Sequence, residues 1–311
     1  MMVPAVLLLL GALIAVLAPR LLGRAEWSER EPVVALWVWQ CAVASVLLCL
    51  ALSMVLSAAA AWQAVRGRLF APAPSGVVEA YALGGSGPWA AVTALLLAGG
   101  ALWTAAVLGR EVLRARARRR AQDGELLLRA PLLPGEDPAG VRLVLLEGER
   151  PDAWWLPGSA PRLVVTTAAL RRLKGRQLDA VLAHEQGHAA ARHDWLLQFS
   201  AALSGAFPRV PVFAAFRDGM HHLVELAADD VASRRFGRLT TALALVGLNE
   251  DRGVFGPGAA PQAHVPQRVQ RLLAATPRLP ATRRLGLTAT AALVPAVPVL
   301  VALVPGLSAL S

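Results

Sequence analysis

Polar and apolar positions divide this chain into four uncharged runs and one long mixed segment. Met1–Pro19, Val33–Val65, Ala80–Gly109 and Leu285–Ser311 contain no charged residue. Each is long enough for a bilayer crossing, which takes roughly 20 residues at 1.5 Å rise. The pattern predicts a membrane domain over residues 1–109, with helices at approximately 2–18, 34–60 and 88–109, and a last transmembrane helix over 285–311. Residues 110–284 read differently. Arg142–Leu146 and Arg162–Thr166 are rich in β-branched and apolar residues and predict short strands. Helical periodicity follows over Gln177–Ala191, over Asp218–Phe236 and from about Gln267. Asp218 suits an N-cap and Gly237 a stop, while Arg234 and Arg235 favour the negative helix end. The fourteen uncharged residues Trp195–Pro208 are too short for a full span and predict a buried or re-entrant helix.

Composition supports the membrane reading. Hydrophobic residues make up 56% of the 311 and charged residues 17%, against roughly 45–50% and about 25% in soluble domains. The net charge of +10 is concentrated beside the apolar runs. Arg110, Arg114, Arg116, Arg118, Arg119 and Arg120 follow the third run, opposed locally only by Glu111. By the positive-inside rule this end is cytoplasmic. The loop with Arg20, Arg24 and Arg30 is then also inside, and the loop from Arg66 to Pro88 outside. No recognition motif accompanies the arginines, so nucleic acid is not an expected partner. The first run has no positive n-region and reads as a retained helix, not a cleaved signal. Cys41 and Cys49 are about two helical turns apart, too far to bridge within one helix.

All six histidines fall between His184 and His264, and two of them form His184-Glu185-Gln186-Gly187-His188. Residues four apart share a helix face, so His184 and His188 can present ring nitrogens to one zinc ion. Glu185, about 100° around the helix, can take a proton from a nearby water. A catalytic zinc needs a third protein ligand. Asp194 stands six residues beyond His188, a spacing that requires glycine at position 191, where the chain has Ala191; His193 is one residue out of that register. Glu225, in Glu225-Leu226-Ala227-Ala228-Asp229, is the better candidate. Asp229 shares its face and can accept the free N–H of a ligand histidine.

H-E-x-x-H followed by E-x-x-A-D resembles the membrane gluzincins: the HtpX heat-shock membrane protease, the CAAX prenyl proteases and the BlaR/MecR-type sensor-transducers. Asp152-Ala153-Trp154-Trp155-Leu156-Pro157-Gly158 and then Leu163-Val164-Val165-Thr166-Thr167 are similar to that family's N-A-F-x-x-P-G stretch and V-V-T-T strand. The resemblance implies that this edge strand lies beside the active-site helix and pairs with extended substrate. His264-Val265-Pro266 with Arg268 and Val269 is similar to the family's H-P-x-x-x-R-I segment. Asp152 departs from the family's asparagine. Three spans ahead of the catalytic segment, and no room after the last for an extracellular penicillin-binding domain, resemble the sensor-transducer branch without its sensor.

The fold expected is therefore a mainly α multi-pass membrane protein. About four transmembrane helices surround a cytoplasmic α+β zincin-like catalytic domain, residues 110–284, with a small edge-strand sheet. The resemblance implies a one-zinc metalloendopeptidase with ligands His184, His188 and Glu225, Asp229 behind them and Glu185 as base. The oxyanion needs a further donor. Tyr81, the only tyrosine, falls in the outside loop, which leaves His264 or Arg268. The expected substrate is a protein or peptide at the cytoplasmic face, with a winged-helix repressor as the partner implied by the sensor-transducer branch. Quality control of membrane proteins and a proteolytically inactive receptor or scaffold are the competing readings. Reporter fusions test the topology: Gly124 is expected inside and Ser311 outside, and an external signal at Gly124 would overturn the cytoplasmic assignment.

Overall fold

A computed structural model describes residues 2–66, 142–156, 162–249, 265–274 and 277–308, with scattered helical residues between 92 and 121. Helix α1 (Met2–Leu22), the short α2 (Trp27–Arg30) and α3 (Pro32–Arg66) come first. Strands β1 (Arg142–Leu146), β2 (Ala153–Leu156) and β3 (Arg162–Thr166) follow, then α4 (Thr167–Arg172), α5 (Arg176–Ala190), α6 (His193–Ala206) and α7 (Pro211–Phe236). The last described elements are α8 (Arg238–Asn249), α9 (Val265–Ala274), α10 (Ala281–Leu293) and α11 (Ala296–Ser308). Among the described residues the fold is mostly helical, with one small mixed sheet.

Val3–Leu22 of α1 and Pro32–Ala59 of α3 are long and apolar enough to cross a membrane. Both are apolar around their circumference, leaving Leu9, Leu13, Leu21, Trp37 and Val55 exposed, as lipid-facing side chains are. The last apolar run is not one straight helix. It bends by 42° between α10 and α11, where Pro295 lacks an N–H and its ring obstructs the carbonyl four residues back. Tighter bonds from Val294 N to Ala291 O (3.2 Å) and from Val297 N to Val294 O (3.2 Å) carry the chain around the break. The described residues thus hold two spans, or three with the bent pair counted as one, where four were expected. Much of the span expected over 88–109, with Trp89, lies outside the described residues.

The sheet runs in the order β1-β3-β2, β1 parallel to β3 and β2 antiparallel to it. The Leu163–Thr166 segment is therefore the central strand, buried at every position, and not the edge strand expected. Its continuous apolar run suits a strand covered on both faces. The edge next to α5 is β2. Thr166 anchors that edge: its Oγ1 donates to Arg150 O (2.9 Å) and accepts from Asp152 N (3.0 Å). The same oxygen caps α4 by accepting from Ala169 N (3.2 Å).

Helix α7 is the central element. It starts at Pro211, with proline in the first turn, seven residues before the expected N-cap. Asp218 instead lies exposed on its surface, paired with Arg217 at 2.8 Å. Proline is tolerated at a helix start because that N–H has no intrahelical partner. At the other end Gly237 takes φ 89° and its N–H closes on Ser233 O (3.0 Å), the expected stop. One face of α7 presents Val212, Phe213, Phe216, Met220, Leu223 and Val224. These share a single core with Ala15 and Ala18 of α1, Leu203 of α6 and Ala35, Leu36, Trp39, Val43 and Val46 of α3. Cys41 and Cys49, both buried on α3, are free thiols. The apolar helices and the helix bearing Glu225 are thus packed as one body.

That packing has a tight point. A Cβ on Gly219 would stand 3.3 Å from Nε1 and 3.5 Å from Cε2 of Trp39, whereas one on Gly286 would meet nothing within 4 Å. Gly219→Leu should push α3 from α7 and cost about 1–3 kcal/mol by overpacking. Gly286→Ala, in an open helical position, should be neutral or slightly stabilising. Thermal unfolding in detergent measures both; equal midpoints for the two variants would show that the α3–α7 contact carries no stability.

Candidate active site

Helix α5 delivers the H-E-x-x-H motif with one side packed against the sheet and α8. Val181 is buried there, with Leu178 and Leu182 beside it. Its other side meets α7 at Gly187, where a Cβ would stand 3.3 Å from Val231 Cβ and 3.4 Å from Ala228 Cα. Glycine here allows the two helix backbones to come close, and that approach carries Glu225 to the histidines. His184 Nε2 and His188 Nε2 are 3.2 Å apart. Glu225 completes the triangle, Oε2 at 3.5 Å from His184 Nε2 and Oε1 at 3.4 Å from His188 Nε2. Two ligand atoms each about 2.0–2.1 Å from a tetrahedral zinc are separated by about 3.3 Å. The three side chains could hold a metal ion at zinc spacing without rearrangement.

Behind this triangle a second layer fixes the rings. His184 Nδ1 is 3.0 Å from Asp229 Oδ1, so a neutral His184 donates there and turns its Nε2 lone pair to the centre. Asp229 is 1% exposed, and a buried carboxylate is costly unless paired. Arg268 pairs it, Nε donating to Oδ2 (2.8 Å) and Nη2 to Oδ1 (2.7 Å). Its Nη1 reaches Glu225 Oε2 at 2.7 Å. Burial alone would raise both carboxyls; the charge of Arg268 and the hydrogen bonds and charge of the groups around them, His184 foremost, together outweigh it. Asp229 is held at about 2 and Glu225 well below the usual carboxylate range. Against its own burial, His184 is raised by Asp229 and Glu225.

Helix α5 ends at Ala190, and Arg192 turns the chain in the left-handed conformation, φ 51°. Helix α6 then begins at once with His193. This reversal buries His193 and sets its Nδ1 3.0 Å from Nδ1 of His188. Burial lowers the pKa of both rings, His188 to about 3. Two neutral rings can share one proton across that contact, so His193 orients His188 as Asp229 orients His184. Asp194, one residue on, is not in the converging group.

Glu185 faces the sheet. Trp155 N, on the outer edge of β2, donates to Glu185 Oε2 at 3.0 Å. Burial, with a further push from Glu225, raises the Glu185 carboxyl to about 7, against the opposing pull of His184 and the Trp155 N–H. A cavity of about 130 Å³ opens beside His184, Glu185 and Glu225, its apolar wall formed by Ala180, Val181, Ala244, Leu245 and Leu248.

The structure therefore brings together His184, Glu185, His188, Glu225, Asp229 and Arg268. Arg268 was expected to face an oxyanion; all three of its nitrogens instead donate to carboxylates. His264 lies outside the described residues. His221 is exposed, and His222 faces Glu29 of α2 at 3.8 Å, so neither joins the site. His193 was weighed only as a third ligand one residue out of register; its contact with His188, like the Trp155 amide on Glu185, was not anticipated.

Residues 115–250, less than half of the chain, match the model of Peptidase family M48. The match supports a metallopeptidase of that family, whose members are typically zinc-dependent. It takes in the H-E-x-x-H motif, Glu225 and Asp229 but stops short of Arg268. Searches of curated proteins and of solved structures found no match. Zinc retention separates the candidate ligands. Dialysis of purified variants against a weak chelator should strip Glu225→Ala first. Asp229→Ala should lose about 10–100-fold in affinity, and Asp194→Ala should stay near wild type. Loss of metal from Asp194→Ala with retention by Glu225→Ala would overturn the assignment.

Proposed function

We propose that this chain is a membrane-embedded zinc metalloendopeptidase that hydrolyses peptide bonds at the cytoplasmic face. The observation that carries the reading is the convergence of His184, His188 and Glu225 at zinc spacing, with Glu185 beside them and an open cavity alongside. Bound zinc supplies Lewis-acid polarisation of a carbonyl and lowers the pKa of water toward ~7.

The chain's own groups do the rest. Glu185 takes the proton of the attacking water and gives it to the leaving amine. Burial favours the protonated form of Glu185 and so strengthens its pull on the proton of water. An extended peptide laid along the outer edge of β2 passes Glu185, and the adjacent cavity accepts an apolar side chain next to the scissile bond. Arg268 is a positioning residue in this scheme: it holds Glu225 toward the centre and keeps Asp229 charged under His184. With Arg268 so engaged, His264 is the candidate that remains for the oxyanion.

The cytoplasmic placement is supported by the arginine cluster after the third apolar run, and the closeness to the membrane by the shared core of α1, α3 and α7. Regulatory cleavage of a cytoplasmic repressor-like protein, of winged-helix type, is the specific role proposed, on the resemblance to the sensor-transducers. Glu185→Gln tests the chemistry. The variant should keep its zinc through purification and lose about 10²–10⁴-fold in turnover of a casein substrate, and the full-length physiological substrate should accumulate in cells that carry it. Undiminished cleavage would remove this motif from the mechanism.

A further inference from the structure

Away from the metal-ligand group, a second pocket of about 110 Å³ is lined by Arg30, Arg234, Arg238, Arg271 and Arg278, with Asp230 as its one carboxylate. Five guanidinium groups around so small a space repel one another, and one carboxylate offsets little of that. Asp230 is already taken by two of them, Arg271 Nη2 at 2.8 Å and Arg278 Nη2 at 3.0 Å. Arg271 is held further by its Nε, which donates to Glu29 O at 2.6 Å. Arg30, Arg234 and Arg238 are exposed and make no hydrogen bond or ion pair with other described residues. Among the described residues, two fixed arginines and three uncommitted ones thus converge on a cavity with Asp230 as its one opposing charge.

The position narrows the ligand. Arg30 comes two residues before the apolar stretch Pro32–Ala59, and Arg278 comes three before Ala281, where α10 enters the bent apolar pair. Two chain segments therefore lead from the pocket directly into apolar helices, which sets it at the level of lipid headgroups. Basic pockets at that level on the cytoplasmic side suit phosphate headgroups, and arginine pairs with phosphate through two parallel N–H bonds.

We propose that this pocket binds a phosphate-bearing anion, the headgroup of an anionic phospholipid. The site joins α2, α7, α8, α9 and the segment before α10. Arg271 stands one turn after Arg268 on α9, and Asp230 follows Asp229 on α7. A bound phosphate that bridges Arg271 to Arg234 and Arg238 therefore clamps the same two helices whose contact sets Glu225 and Asp229. This goes beyond the proteolytic reading and does not depend on it.

The test reads stability instead of cleavage. Full-length protein in neutral detergent is heated with added phosphatidylglycerol, with phosphatidylcholine, with inorganic phosphate, or with sodium chloride at matched ionic strength. Phosphatidylglycerol should raise the unfolding midpoint by about 5 °C near saturation, and the other three should leave it unchanged. Arg234→Gln/Arg238→Gln changes two exposed, unpaired side chains. It should unfold without lipid at the wild-type midpoint or above it, and lose most of the lipid shift; Arg30→Gln should lose part of it. An equal rise with inorganic phosphate would overturn the lipid source. The absence of any rise with phosphatidylglycerol, or a full rise in the double variant, would overturn the site.

Discussion

The contact between the Arg268 guanidinium and the two carboxylates of α7 governs how the rest of the site is arranged. Asp229 is buried, and left unpaired it would either take up a proton or cost several kcal/mol. With Arg268 on both of its oxygens it stays charged and accepts the His184 Nδ1–H. That fixes which His184 nitrogen faces the centre. The same guanidinium draws Glu225 Oε2 to 2.7 Å and so sets the third candidate ligand. Arg268 sits on α9, distant in sequence from both histidines. The geometry of the candidate metal group therefore requires α9 to dock on α7, and breaking such a buried pair costs about 3–5 kcal/mol.

Docking also depends on close backbone approach. Gly187 sits against Ala228 and Val231, and Gly219 lies under the ring of Trp39. The first contact brings α7 to α5; the second brings α7 to α3. Helix α7 thus carries the third candidate ligand on one face and a share of the α1–α3 core on another. Sequence divides these regions into a membrane domain and a catalytic domain, but packing joins them through a single helix. A disturbance of α3 near Trp39 reaches Glu225 through six residues of α7, about 9 Å along its axis.

Local pattern carried much of this into the sequence. Both expected strands occur with the bounds read from their β-branched runs, and α5 falls within a residue of its periodic segment. Helical spacing alone put His184 and His188 on one face and Glu225 with Asp229 on another. What depended on distant pairing was not legible. Whether Leu163–Thr166 is central or at an edge is decided by β1 and β2, not by its own residues. The first turns of α7, uncharged up to Arg217, gave no signal that distinguished a helix from the preceding loop, so Asp218 was read as the cap. His193 was hidden by a backbone choice: only the left-handed Arg192 reverses the chain tightly enough to set that ring on His188. Arg268 could be found by motif, but its orientation depends on which carboxylates it meets.

The depth of the site follows from how α7 lies on α3. Gly219 touches Trp39, and three residues later His222 faces Glu29. As α7 advances its partners on the first helices run backward, so the two lie antiparallel. The N-terminal turns of α7 accompany α3 where Phe216 packs near Trp39 (ring centroids 6.2 Å). Its later turns emerge at the foot of the span, beside α2. Glu225 comes one turn beyond His222 and so stands at the entrance of the apolar stretch, not within it. Arg217, Asp218 and His221 keep the outward face of α7 polar, which would be costly against lipid on all sides. In the proposed function, a peptide on the β2 edge therefore meets Glu185 at the membrane surface, where both a soluble protein and the water-exposed end of a membrane protein can reach it.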